Sequence, residues 1–121
     1  MRDFRKWDIW KESKKLVTEI YTVTRNFPDE EKFGLISQLR RATVSIPTNI
    51  SEGAGRNSEK ELLHFLHISQ GSCFEVETLL DLSEDLNFIN SEVKSSIMIK
   101  LNTIQKQINK FIQVIKSTEG R

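Results

Sequence analysis

The sequence predicts an all-α fold, an antiparallel up-down-up-down bundle of four helices in a single domain over 1–121. Three observations carry this. Four segments repeat their apolar residues at alternating three- and four-residue intervals, the period of a helix that buries one face. Proline, glycine and capping residues separate the segments. Helices of roughly 20–28 residues joined by short turns bury their apolar faces best as antiparallel neighbours crossing near +20°.

The first helix is expected near 8–26, with Asp8 as a candidate N-cap and Phe27-Pro28 as its stop. Ile9, Leu16, Ile20, Val23 and Phe27 form its stripe, widened by Trp10, Val17 and Tyr21. The second is expected near 30–54. Asp29-Glu30-Glu31 set three acids against the positive end of its dipole, and Ile36, Leu39, Thr43, Ile46 and Ile50 keep the spacing. Pro47 lies inside it, lacks an N–H and crowds the Thr43 carbonyl, so a kink is expected there. Because the apolar phase survives the proline, one kinked helix is favoured over two. Gly53-Ala54-Gly55 ends it.

Ser58-Glu59-Lys60-Glu61 is a capping box that opens a third helix near 58–86. Leu62, Phe65, Ser69, Ser72, Val76, Leu79, Ser83 and Leu86 carry its phase. The small residues at its middle, with Gly71, predict close approach of a neighbour. The fourth helix, near 91–117, repeats at Ile97, Leu101, Ile104, Ile108, Phe111 and Ile115 and is expected to fray over 117–121. Large apolar residues also fall off these stripes: Leu63, Leu66, Phe74, Leu80, Leu82, Met98 and Ile112. Such a surplus points to a subunit interface, so a homo-oligomer is expected.

Composition narrows the class further. A chain of 121 residues can bury a core without disulfides or a structural metal, and its one cysteine, Cys73, suits a reducing cytoplasm. The charged start Met1-Arg2-Asp3-Phe4-Arg5-Lys6-Trp7 has no apolar region behind it that would make a signal peptide. No apolar run is long enough to span a bilayer. A cytoplasmic protein with no membrane partner is the expectation.

Few residues suggest chemistry. His64 and His67 share a helix face but lack further ligands, so no metal is expected. Cys73 has no cation or base close in sequence to activate it. Glu75, Glu77, Asp81, Glu84 and Asp85 form an acidic run without the Glu-x-x-His pairs of a di-iron bundle. Gly53-Ala54-Gly55-Arg56 reads as a helix stop rather than a phosphate loop, and Asn49-Ile50-Ser51 as a chance sequon. No catalytic constellation emerges. The chain is expected to be no enzyme and to need no cofactor.

Charge is the more informative property. The formal net charge is +1, but residues 58–90 carry one Lys against seven acids, whereas 1–28 carry seven Lys/Arg against four and 91–121 six against two. Arg40-Arg41, Arg56, the Lys11/Lys14/Lys15 patch and Lys100, Lys106 and Lys110 can track phosphates. They can equally serve solubility and pairing with the acidic third helix.

One run is distinctive: Gly34-Leu35-Ile36-Ser37-Gln38-Leu39-Arg40-Arg41-Ala42-Thr43-Val44-Ser45-Ile46-Pro47-Thr48-Asn49-Ile50-Ser51-Glu52-Gly53. With Phe4-Arg5-Lys6-Trp7-Asp8-Ile9-Trp10 and Phe65-Leu66-His67-Ile68-Ser69-Gln70-Gly71-Ser72, it resembles the bacterial four-helix-bundle family of 23S rRNA intervening-sequence proteins. The resemblance implies a homopentameric barrel without enzymatic activity. It also implies kinship with the accessory proteins of diversity-generating retroelements, in which a basic barrel surface binds nucleic acid and a reverse transcriptase. Arg40, Arg41, Asn49, Glu52, Gly53 and Arg56 match the family core. Asn49 and Glu52 are candidates to satisfy backbone groups freed by the proline, and Gly53 to cap the helix. After Arg56, relatives continue with basic residues, whereas Asn57 and Glu59 follow here.

The expected function is that of a non-catalytic homo-oligomer binding structured RNA or DNA through Arg40, Arg41, Arg56, Lys11, Lys14 and Lys15. The alternative is a protein-interaction scaffold or adaptor with no nucleic-acid role.

Overall fold

Apolar stripes at helical spacing become four helices in the computed structural model, which describes residues 2–119. They are α1 (Asp8–Thr24), α2 (Leu35–Ala54), α3 (Glu59–Asp85) and α4 (Ser91–Glu119), with single 3-10 turns at Phe4–Lys6 and Asp29–Glu31. No strand occurs among the described residues. Each helix packs on two neighbours: α2 on α1 and α3, α4 on α1 and α3, with no close backbone approach of either diagonal pair among the described residues. This is the ring of an up-down-up-down four-helix bundle. Leu16, Ile20, Leu39, Ile46, Ile50, Leu66, Leu80, Ile104 and Ile108 lie fully buried along its axis, each contributing about 1.5–3 kcal/mol.

The helix ends show local chemistry at work. Ser58 Oγ accepts from the Glu61 N–H at 3.1 Å, while the return bond expected from the Glu61 carboxylate is not formed among the described residues. Asn87 takes a left-handed backbone (φ 62°) just past α3. The Phe88 and Asn87 N–H groups then reach back to the Ser83 and Glu84 carbonyls at 2.8 and 2.9 Å, a Schellman stop. Asn90 Oδ1 accepts from Val93 N–H at 2.8 Å and caps α4. That helix continues through Glu119, past the start of the expected fraying, and residues 120–121 lie outside the described residues. At α1, Trp7 rather than Asp8 is the N-cap residue.

Three expectations need correction. Helix α2 begins at Leu35, not near 30, because Gly34 leaves helical geometry (φ −107°, ψ −117°). The Glu31 carboxylate accepts from the Leu35 N–H at 3.0 Å, so this acid caps α2 from outside. Second, most of the apolar surplus is core. Leu63, Leu66, Leu80 and Ile112 are buried within the single chain, and only Phe74 and Leu82 of that set are exposed. Third, Gly71 faces open space, whereas Gly53 is buried inside α2 with Phe65 and Leu62 so near that a Cβ would sit 2.9 Å from Phe65 Cβ. Gly53 therefore lets α3 approach and does not cap.

Pro47 is accommodated within α2 as one continuous helix. Just after it, Asn49 Nδ2 donates to the Ser45 carbonyl at 2.8 Å and Thr48 Oγ1 to that of Val44 at 2.9 Å, and neither reaches the Thr43 carbonyl among the described residues. These side chains add bonds to the two carbonyls that follow the one the proline crowds. Glu52 does not take part; it pairs with Arg56.

Candidate nucleic-acid interface

The six cations singled out from sequence have different fates. Arg40 is half-buried and spent largely within the fold. Its Nε donates to Thr24 Oγ1 at 2.9 Å, and its guanidinium lies 4.4 Å from the centroid of the Tyr21 ring. Nη2 also reaches the Tyr21 carbonyl at 3.4 Å, one of the four last carbonyls of α1 that lack helical partners. Arg40 thus ties α2 to the C-terminal turn of α1.

Arg41, one residue on and rotated about 100° round the helix, is exposed. It makes no hydrogen bond or ion pair among the described residues. Together with Tyr21, Lys32, Phe33, Ile36, Ser37, Arg40 and Val44 it lines an open groove of about 390 Å³ between α1 and α2. That lining contains three cations and no carboxylate. Phe33, on the turn before α2, is 90% exposed. Lys32 and Phe33 escaped the sequence reading. The signal available was an aromatic residue out of phase with every stripe, between an acidic turn and a glycine.

Lys11, Lys14 and Lys15 surround a shallow hollow of about 340 Å³ with Trp10 and Thr18. Lys14 Nζ stands 4.3 Å from the Trp10 ring centroid, and Lys15 pairs with Glu12 at 3.5 Å. Lys14, Thr18 and Tyr21 follow one another at four and three residues, so they share a face of α1. The lysine hollow and the groove therefore lie along one helix face, about 10 Å apart at the rise of an α-helix.

Arg56 is not brought to this face. It follows the far end of α2, pairs with Glu52 at 2.5 Å and stacks 4.8 Å from the Phe65 ring. The N-terminal segment also reaches its backbone: Arg2 Nη1 donates to the Arg56 carbonyl at 2.7 Å.

The acidic third helix is partly neutralised by the fourth. Lys94 bridges Asp81 and Glu84, and its hydrogen bonds to these two carboxylates hold its pKa above the ordinary lysine value. Lys100 pairs with Glu19 of α1 at 2.5 Å. None of these acids pairs with Arg40, Arg41 or the lysine hollow among the described residues.

Other candidate chemistry stays dispersed. No three His, Cys, Asp or Glu side chains converge among the described residues. His64 and His67 are exposed, the former packed edge-on against Phe65. Cys73 is fully buried, which pushes its thiol pKa up to about 12. Among the described residues, no helix is long and apolar enough to cross a membrane.

The comparison with known proteins follows this architecture. A solved structure from Bacteroides thetaiotaomicron VPI-5482, a protein of unknown function from the S23 ribosomal protein family, shares the fold with a TM-score of 0.78. It is 24% identical, over 86% of this chain and 97% of that one. No curated protein shows a significant match. Residues 5–110, nearly the whole bundle and every residue of the groove, match the family described as 23S rRNA-intervening sequence protein, and the chain belongs to that family.

Proposed function

We propose that this protein is a non-catalytic, self-associating helical bundle of the cytoplasm that binds structured RNA or DNA through cationic side chains. The contacts are chiefly to phosphate, with little reading of sequence. The observation that supports this best is the carboxylate-free groove holding Lys32, Arg40 and Arg41, continued along α1 by Lys11, Lys14 and Lys15. Arg41 and Lys11, whose side chains make no hydrogen bond or ion pair among the described residues, carry most of the interaction; Arg40 positions the groove, and Arg56 contributes little. The family description, which concerns intervening sequences of 23S rRNA, fits an RNA ligand.

Self-association draws support from the exposed Phe74, Leu82, Leu86, Ile99 and Val114, with five copies as the state the sequence resemblance implies. A ring would multiply the cationic face by the number of subunits. The second reading, a protein-binding scaffold, is favoured by Glu75, Glu77 and Asp85, which form no ion pair among the described residues, next to Phe74 and Leu82 on α3.

Titrating a labelled RNA hairpin at several salt concentrations tests the primary reading. Affinity should fall steeply as salt rises, since each phosphate contact releases counterions. Salt-independent binding, or none, would favour the scaffold.

A further inference from the structure

We propose that the groove between α1 and α2 holds one unpaired nucleotide, its base stacked on Phe33 and its phosphate held by Arg41 and Lys32. The inference rests on the nucleic-acid reading above and specifies the form of ligand: a single strand or a loop, not a continuous duplex.

The ring is the central observation. Phe33 is 90% exposed, and isolated apolar side chains are common on surfaces, but this one is set in a fixed frame. The Lys32 and Gly34 N–H groups donate to the Asp29 and Glu31 carbonyls at 3.1 and 3.0 Å. Glu31 in turn holds the Leu35 N–H. The turn thus presents the ring outward at the lip of the groove.

The opposite wall is also ordered in advance. Tyr21 and the Arg40 guanidinium lie against each other, with Arg40 fixed by Thr24. Ring and wall line the same open groove of about 390 Å³. Lys32 Nζ stands over one face of the Phe33 ring, 5.7 Å from its centroid, and at this exposure the ring keeps its other face open to a base. Aromatic side chains beside cations are the elements by which proteins hold single strands. A base inside a duplex has both faces covered by its neighbours and cannot use the ring. Charge complementarity selects this occupant over a protein: phosphate and base satisfy cations and ring together, whereas an apolar protein surface would strip water from Lys32 and Arg41 without return.

The test compares a fluorescent oligouridine with a blunt RNA duplex, using wild type, Phe33→Leu and Phe33→Trp. Because the side chain is exposed, neither substitution should disturb folding. The expected result is that Phe33→Leu weakens oligouridine binding about tenfold, the size of one lost stacking contact. Duplex binding should stay unchanged, and Phe33→Trp should restore the single-strand affinity. Equal oligouridine binding by wild type and Phe33→Leu, with salt-dependent binding intact, would overturn this inference and leave the cationic reading standing. Absence of salt-dependent binding to either probe would remove both. A change in light-scattering mass for Phe33→Leu would assign the ring to a contact between copies and overturn the nucleotide site.

Discussion

Helix α2 has two working sides that are built differently. Against α3 it forms a close seam: Ser69 Oγ donates to the Ile46 carbonyl at 2.9 Å, the Ser45 and Ser72 hydroxyls meet at 2.7 Å, and Gly53 admits Phe65. Against the end of α1 it leaves a groove, with an exposed aromatic ring and cations around it. Both sides draw on the same stretch of sequence. Ser45, Ile46, Asn49 and Gly53 serve the seam or the ladder near it, and Arg41 is left over. Most of the motif that carries the family resemblance therefore maintains helix packing, and a small remainder is free to meet a partner.

The contrast can be broken by substitution. Leu62→Ala, buried against Gly53 in the seam, should cost about 2–5 kcal/mol in a denaturant titration. Phe33→Ala in the groove should stay within about 0.5 kcal/mol. Similar losses at both would erase the distinction. Gly53→Val comes next. A Cβ would meet Phe65 Cβ at 2.9 Å, Leu62 Cδ1 at 3.2 Å and the Leu62 backbone carbonyl at 3.3 Å; the first and last cannot swing aside, so overpacking of about 1–3 kcal/mol should lower the melting temperature by several degrees. Ser69→Ala removes one buried hydrogen bond and should cost about 0.5–1.5 kcal/mol.

Cys73 offers a probe that changes no residue. Burial raises its pKa from 9.0 to about 12, so the folded state holds the thiol proton more tightly than the unfolded one. The stability this contributes is present below pH 9 and falls as pH rises from there towards 12. At pH 8 a thiol reagent should label Cys73 only when the bundle opens. Rapid labelling under native conditions would show a looser core than this packing allows.

How much of this was readable beforehand depended on whether the relevant property is local. Helix phase is local, and the four stripes became four helices. The start of α2 was misplaced because Asp29-Glu30-Glu31 satisfies the dipole rule whether it forms a first turn or, as here, a separate turn whose last acid caps from outside. Leu66, Leu80 and Ile112 looked surplus because a single stripe presumes one partner, whereas each helix here faces two and buries a wider arc. At the candidate site, the clustering of basic residues was legible. Which arginine is free was not: Arg40 and Arg41 differ by one step of rotation, and only the position of α1 decides which is captured. The exposure of Phe33 is likewise a property of the assembled bundle.

On the proposed function, the α1–α2 face, and not the far end of α2, meets nucleic acid. The most direct measurement is the slope of RNA affinity against salt for Arg41→Gln and Arg56→Gln beside wild type. Arg41→Gln should weaken binding and lower the magnitude of the slope by about 1, while Arg56→Gln should leave it unchanged because Glu52 already pairs with that side chain. An unchanged slope for Arg41→Gln, or a larger loss for Arg56→Gln, would contradict this reading.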